Sequence, residues 1–219
     1  MRQFWRRNGL SVVLFTLFLG FWAGQAWTGW RDEVEEQQSH GASVPSFTQY
    51  LKSGSFVEAT AENWESEFLQ MFAYVLFTVF LYQRGSAESK SPDKVEEVDR
   101  DPRQSSRDDA PGPVKAGGWR LRIYEGSLSL AFFTLFLISF IFHAVGGAAA
   151  YNEEQLLHAA PPISVWQFMA RARFWFESFQ NWQSEFLAIW AMVVLTIFLR
   201  QRGSPESKPV DAPHSQTGA

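Results

Sequence analysis

With 219 residues, no cysteine and a formal net charge of −4, the chain excludes disulfides, thiolate metal sites and cysteine nucleophiles, and it argues against a nucleic-acid binder. Its 21 Phe and 10 Trp are gathered into apolar blocks separated by loops dense in Glu, Asp, Ser and Pro. That alternation suits lipid-facing helices with interfacial aromatic belts better than a single soluble core.

Met1 to Asn8 carries Arg2, Arg6 and Arg7 and no acid, and the run Gly9 to Trp30 that follows has no ionisable side chain. Such a run can cross a hydrocarbon core of about 30 Å. A cleaved signal peptide has the same outline. Against it stands an internal copy: Leu10 to Leu19 matches Leu128 to Leu137 at 7 of 10 positions. The segment is therefore read as an uncleaved first span. Within it Thr16, Gly20, Gly24 and Thr28 form a small-residue stripe. Stripes of this kind let helix backbones approach closely, either inside a bundle or against a second subunit.

Arg31 to Ser66 is the first outer loop, with two basic residues against seven acids. Its second half interleaves Phe47, Tyr50, Leu51, Phe56, Val57 and Trp64 with polar residues and is interrupted at Gly54. This reads as an amphipathic segment lying in the interface or packing as a soluble cap. The second span is expected over Trp64 to Gln83. Arg84 to Gly118 is rich in Ser, Pro, Asp, Lys and Arg and reads as a disordered linker. The third span, Gly126 to Gly147, holds one titratable group, His143. Ala148 to Ser184 is the second outer loop, Trp182 to Leu199 the fourth span, and a polar tail follows.

Two copies of one pattern run through this order. Asn63-Trp64-Glu65-Ser66-Glu67-Phe68-Leu69 returns 118 residues later as Asn181-Trp182-Gln183-Ser184-Glu185-Phe186-Leu187. From Asn63 to Lys90 against Asn181 to Lys208, 18 of 28 positions are identical without a gap. The N-terminus, the linker region and the tail hold fifteen basic residues and the two outer loops four. By the positive-inside rule both termini and the linker are cytoplasmic, so the two copies share one orientation. The expected fold is an all-α integral membrane protein with four transmembrane helices arranged as two parallel two-helix repeats. Its divisions are 1–83 (first repeat), 84–118 (linker), 119–203 (second repeat) and 204–219 (tail).

Four polar groups share a depth toward the outer ends of the spans: Gln25, Glu67, His143 and Glu185. Ionisable groups inside membrane segments point to function. A second reading places Glu67 and Glu185 in the first turns of their helices, with Asn63 and Asn181 as N-caps, where a carboxylate simply favours the positive helix end. Glu67, Gln70, Tyr74 and Thr78 form a polar stripe of which the second copy keeps Glu185 and Thr196. Glu36 with His40 and Glu154 with His158 are (i, i+4) pairs that fit a solvated face better than a metal site. No phosphate loop, nucleophile elbow or His-rich metal motif occurs, so neither enzymatic activity nor a cofactor or metal is expected.

The elements Thr28-Gly29-Trp30-Arg31, Tyr50-Leu51-Lys52-Ser53-Gly54, Asn63 to Phe68 and Gln83-Arg84-Gly85-Ser86 resemble an uncharacterised family of bacterial four-span membrane proteins that carry a domain of unknown function. Tyr151-Asn152-Glu153-Glu154-Gln155 looks like another element of that family, from which the first copy departs at Glu33-Val34. The resemblance spans about Phe4 to Lys208 and implies the bacterial cytoplasmic (inner) membrane, and it brings no activity or site residues. The sequence thus leaves two functions open. One is a small proton-linked or cation- or solute-binding transport module using the outer polar layer. The other is a structural or assembly protein docking a partner through its outer loops and the Gly20–Gly24 stripe. Expected partners are the lipid bilayer and either a second copy or another membrane protein.

Overall fold

The structure is a computed structural model that describes residues 2–218; Met1, which opens the first sequence division, and Ala219, which closes the last, lie outside it. The described residues contain eight α-helices, two single 3-10 turns and no strand. The helices are α1 (Arg2–Ser39), α2 (Phe47–Tyr50), α3 (Gly54–Phe77), α4 (Gly112–Ala116), α5 (Gly118–Glu125), α6 (Ser127–Leu157), α7 (Val165–Met169) and α8 (Ala172–Phe198). Three of them, α1, α6 and α8, are long and apolar enough to cross a membrane. Along α1 large apolar side chains such as Leu10 and Phe21 are 75% exposed, a surface that water would penalise and lipid would not.

The expected second span differs from what is found. Helix α3 begins ten residues before Trp64, because the amphipathic segment after Gly54 joins the span in one helix. It ends at Phe77, where the hydrogen bonds tighten: the amide of Val79 donates to Leu76 and that of Phe80 to Phe77. The Thr78 hydroxyl bonds back to the carbonyls of Tyr74 and Val75, competing with the helical ladder. Glu58, Glu62, Glu65 and Glu67 therefore all lie in the first fourteen residues of the 24-residue helix α3.

Local devices recur at the 118-residue spacing. Helix α1 closes with the Gly41 amide on the Gln38 carbonyl and the Ala42 amide on that of Gln37. Helix α6 closes with Ala159 on Leu156 and Ala160 on Gln155. Both are left-handed helix stops, with φ 65° at Gly41 and 53° at Ala159. Ser46 and Gln49 form a capping box on α2, and Ser164 and Gln167 form one on α7. Gln83 and Gln201 donate their amides to the hydroxyls of Ser89 and Ser207, each at 2.9 Å. These two loops turn at Gly85 and Gly203, at φ 87° and 84°.

The chain forms two compact units. The first holds residues 1–61 and 142–171. In it Ala26, Tyr50 and Phe56 are buried, with Trp30, Phe47 and Leu51 packed on them. The Trp30 indole donates to the Pro45 carbonyl at 2.9 Å, which fixes the descent from α1 to α2. Burying a side chain such as Phe56 away from water contributes about 1.5–3 kcal/mol. The Asn152 side chain bonds both the carbonyl and the amide of Ile163, at 2.9 and 2.8 Å, and so seats the loop before α7.

The second unit holds residues 62–141 and 172–219. Here α3, α6 and α8 meet through rings: Phe72 lies 5.0 Å from Phe133 and Phe136 6.5 Å from Trp182, centroid to centroid. Residues 84–118, read from composition as a disordered linker, form turns, the 3-10 helices Glu97–Asp99 and Pro102–Gln104, and α4. The tail folds beside the loop at Gly85. Lys208 is buried and donates to the carbonyls of Gly85, Pro213, His214 and Gln216. Burial, and then the charge of Arg200, push its ammonium below the usual lysine range.

Candidate functional site

In the first unit α3 crosses α6 at a point where there is no room for side chains. A Cβ at Gly146 would lie 2.6 Å from the backbone nitrogen of Glu58, and one at Gly147 would lie 2.6 Å from Glu58 Oε1. A Cβ at Gly54 would strike the backbone at Ala149 and Ala150. These glycines let the Glu58 carboxylate sit against α6, on the face that carries His143 one turn earlier. His143 is fully buried and Glu58 nearly so, and their ligand-competent atoms lie within 4.8 Å of one another. The ring of Phe168, itself fully buried, covers Gly147.

A carboxylate and an imidazole held this closely away from water can pass a proton between them or hold a cation.

Of the sequence-derived layer, this unit contains His143 and Gln25, the latter half-buried on α1. Gly20 and Gly24 face open space: a Cβ added at either would meet nothing within 4 Å. In the same unit Glu153 and Tyr50 both feel the charge of Glu33. Burial first, and the charge of Glu33 second, raise the Glu153 carboxyl above its ordinary value, against the pull of the Gly54 amide. Burial and then Glu33 and Asp32 raise Tyr50 in the same way. The His40 ring pairs with the Glu36 backbone carbonyl at 3.0 Å, and His158 is exposed.

The second unit contains Glu67 and Glu185. Glu67 is exposed and Glu185 half-buried, and the two are near enough for their charges to interact. Gln70, one turn after Glu67, donates to the Glu185 carbonyl at 2.7 Å and ties α3 to α8 at this level. The helix-start reading does not hold for either glutamate. Helices α3 and α8 begin at Gly54 and Ala172, so Asn63 and Asn181 are interior residues whose carbonyls accept the hydroxyls of Ser66 and Ser184, each at 2.8 Å. The lower stripe is engaged within the protein, since the Tyr74 hydroxyl donates to Glu88 at 2.6 Å and Thr78 to its own helix.

Two residues escaped the sequence reading. Glu65 is fully buried and accepts the Trp182 indole at 2.9 Å. Its counterpart in the other copy is Gln183, so a departure from the repeat at one motif position was the available signal. Glu58 was hidden by placing the start of the helix at Trp64; carried back to Gly54, the helix puts Glu58, Glu62 and Glu65 at spacings of four and three along one face.

No curated protein and no solved structure matches the chain. The family model described as a domain of unknown function (DUF6766) matches residues 1–219, and the chain belongs to that family.

Proposed function

We propose that the chain is a four-span protein of the bacterial cytoplasmic membrane that passes protons through buried carboxylate and imidazole groups near its outer face. In this reading α3 is the fourth crossing helix, the two two-helix repeats share one orientation, and both termini are cytoplasmic. Glu58 and His143 in one unit supply the buried pair, and exposed Glu67 and half-buried Glu185 in the other add two carboxylates. The observation that carries the reading is the Glu58–His143 pair: two buried ionisable groups within 4.8 Å, seated over the paired glycines Gly146 and Gly147. Buried ionisable groups in a membrane segment are costly and are kept where chemistry uses them.

Proton flux into liposomes tests it. Vesicles carrying the protein and a trapped pH-sensitive dye, under an imposed potassium diffusion potential, should acidify faster than protein-free vesicles. Glu58→Gln and His143→Gln should each lower that rate by about tenfold, the effect of losing one partner of a buried charged pair. Wild-type rates equal to those of empty vesicles would end the proton reading. They would favour the docking role instead, with which the uncovered Gly20 and Gly24 agree.

A further inference from the structure

The C-terminal end of α3 and the chain that follows it enclose a cleft of about 520 Å³ in the second unit. Val79 and Val98 supply apolar lining, and Tyr74, Glu88, Lys90 and Asp99 supply polar lining. Most of the charges are matched. Lys90 is ion-paired with Asp99, and Glu96 takes the Ser91 amide at 2.9 Å and lies 3.9 Å from Lys94. Glu88 is the exception. Its Oε2 accepts the Tyr74 hydroxyl at 2.6 Å, while its Oε1 is shielded from solvent and meets no hydrogen-bond partner among the described residues. A shielded carboxylate oxygen without a donor is rare in folded proteins and calls for an explanation.

We propose that this cleft binds a primary ammonium group carried on an apolar body, with Glu88 as its counter-ion. The charge left over in the cleft is the negative charge of Glu88, so the ligand is a cation. The volume far exceeds that of a bare metal ion, and Val79 and Val98 give an apolar stem somewhere to lie. A primary ammonium brings three N–H donors, whereas a quaternary ammonium brings none and leaves Oε1 as it is. The last torsion of a glutamate is soft, so a modest rotation turns Oε1 to the ligand. Two sources share this chemistry: the ethanolamine headgroup of a bilayer lipid and a free alkylamine from water. The lipid source rests on α3 crossing the membrane, and the soluble source does not.

The full chain in nanodiscs, titrated with hexylamine in a calorimeter, tests the site itself. One saturable site is expected, weakened about tenfold or more in Glu88→Gln, because a charge-assisted hydrogen bond is lost. Val98→Trp, which fills the cleft without touching the carboxylate, should abolish it. Glu97→Gln, on the neighbouring turn and outside the lining, should leave it unchanged, and trimethylhexylammonium should not bind. Native mass spectrometry from nanodiscs of equal phosphatidylethanolamine, phosphatidylglycerol and phosphatidylcholine then separates the sources. Selective retention of phosphatidylethanolamine, lost in Val98→Trp, assigns the lipid; hexylamine binding without that enrichment assigns the soluble amine. The proposal is overturned if neither binds, or if both variants bind as the wild type does. Because the proton-flux groups lie elsewhere in the chain, unchanged flux in Glu88→Gln keeps the two failures apart.

Discussion

Ala159 adopts φ 53° at the stop of α6, in the position glycine fills at Gly41 with φ 65° after α1. The two closing hydrogen bonds, from this residue and the next, are the same in both turns, so the alanine bears the left-handed conformation without the freedom that suits it. That conformation costs an L residue about 1–2 kcal/mol. Restoring glycine returns part of it to the unfolded chain as entropy, about 0.4–1 kcal/mol. Ala159→Gly should therefore stabilise the protein by about 0.5–1 kcal/mol, read as a higher midpoint of thermal unfolding in detergent. A lower midpoint would show that the turn is not strained. At this scale the sequence was informative where a residue broke its context: His143 stood out as the one titratable group in an apolar run. Glu58 did not, because acids are common in an outer loop and its burial depends on glycines nearly ninety residues away.

The crossing of α3 and α6 depends on glycine at the element scale. At Gly146 the obstacle to a side chain is the backbone of Glu58, which cannot swing aside as a flexible side chain would. Overpacking of this sort costs about 1–3 kcal/mol, more than the helix propensity alanine gains over glycine, about 1 kcal/mol. Gly146→Ala should lower the unfolding midpoint, while Gly24→Ala, with open space around it, should leave it unchanged or raise it. Equal effects of the two substitutions would remove the crossing as the feature that seats Glu58. The small-residue stripe in α1 was visible in the sequence, but a sequence cannot say which glycines face a backbone. Helix limits were harder still. The apolar runs located α1, α6 and α8 but not their limits: α8, like α3, begins ten residues before the expected start and joins an amphipathic half to an apolar half, and only hydrogen bonding shows that each is one helix. The contacts of Lys208 with four carbonyls are polar and non-periodic, so composition gives no sign of them.

For the whole molecule, the repeat of 118 residues links sequence to topology. Capping boxes, helix stops and the Gln-Arg-Gly-Ser loops recur at that spacing, including at Ser46 and Ser164, outside the stretch of highest identity. Among the described residues three helices are long and apolar enough to cross a membrane, and the topology turns on whether α3, with four glutamates in its first fourteen residues, is the fourth. If it crosses, each repeat enters and leaves on the same side, and residues 84–118 return to the cytoplasm. If it does not, those residues stay outside and α6 and α8 run in the opposite sense. A reporter fused after Gly112, active on one defined side of the membrane only, decides between them. The account predicts a cytoplasmic reporter at Gly112; an exported one would contradict the four-span repeat and the outer location of Glu58 and His143 with it.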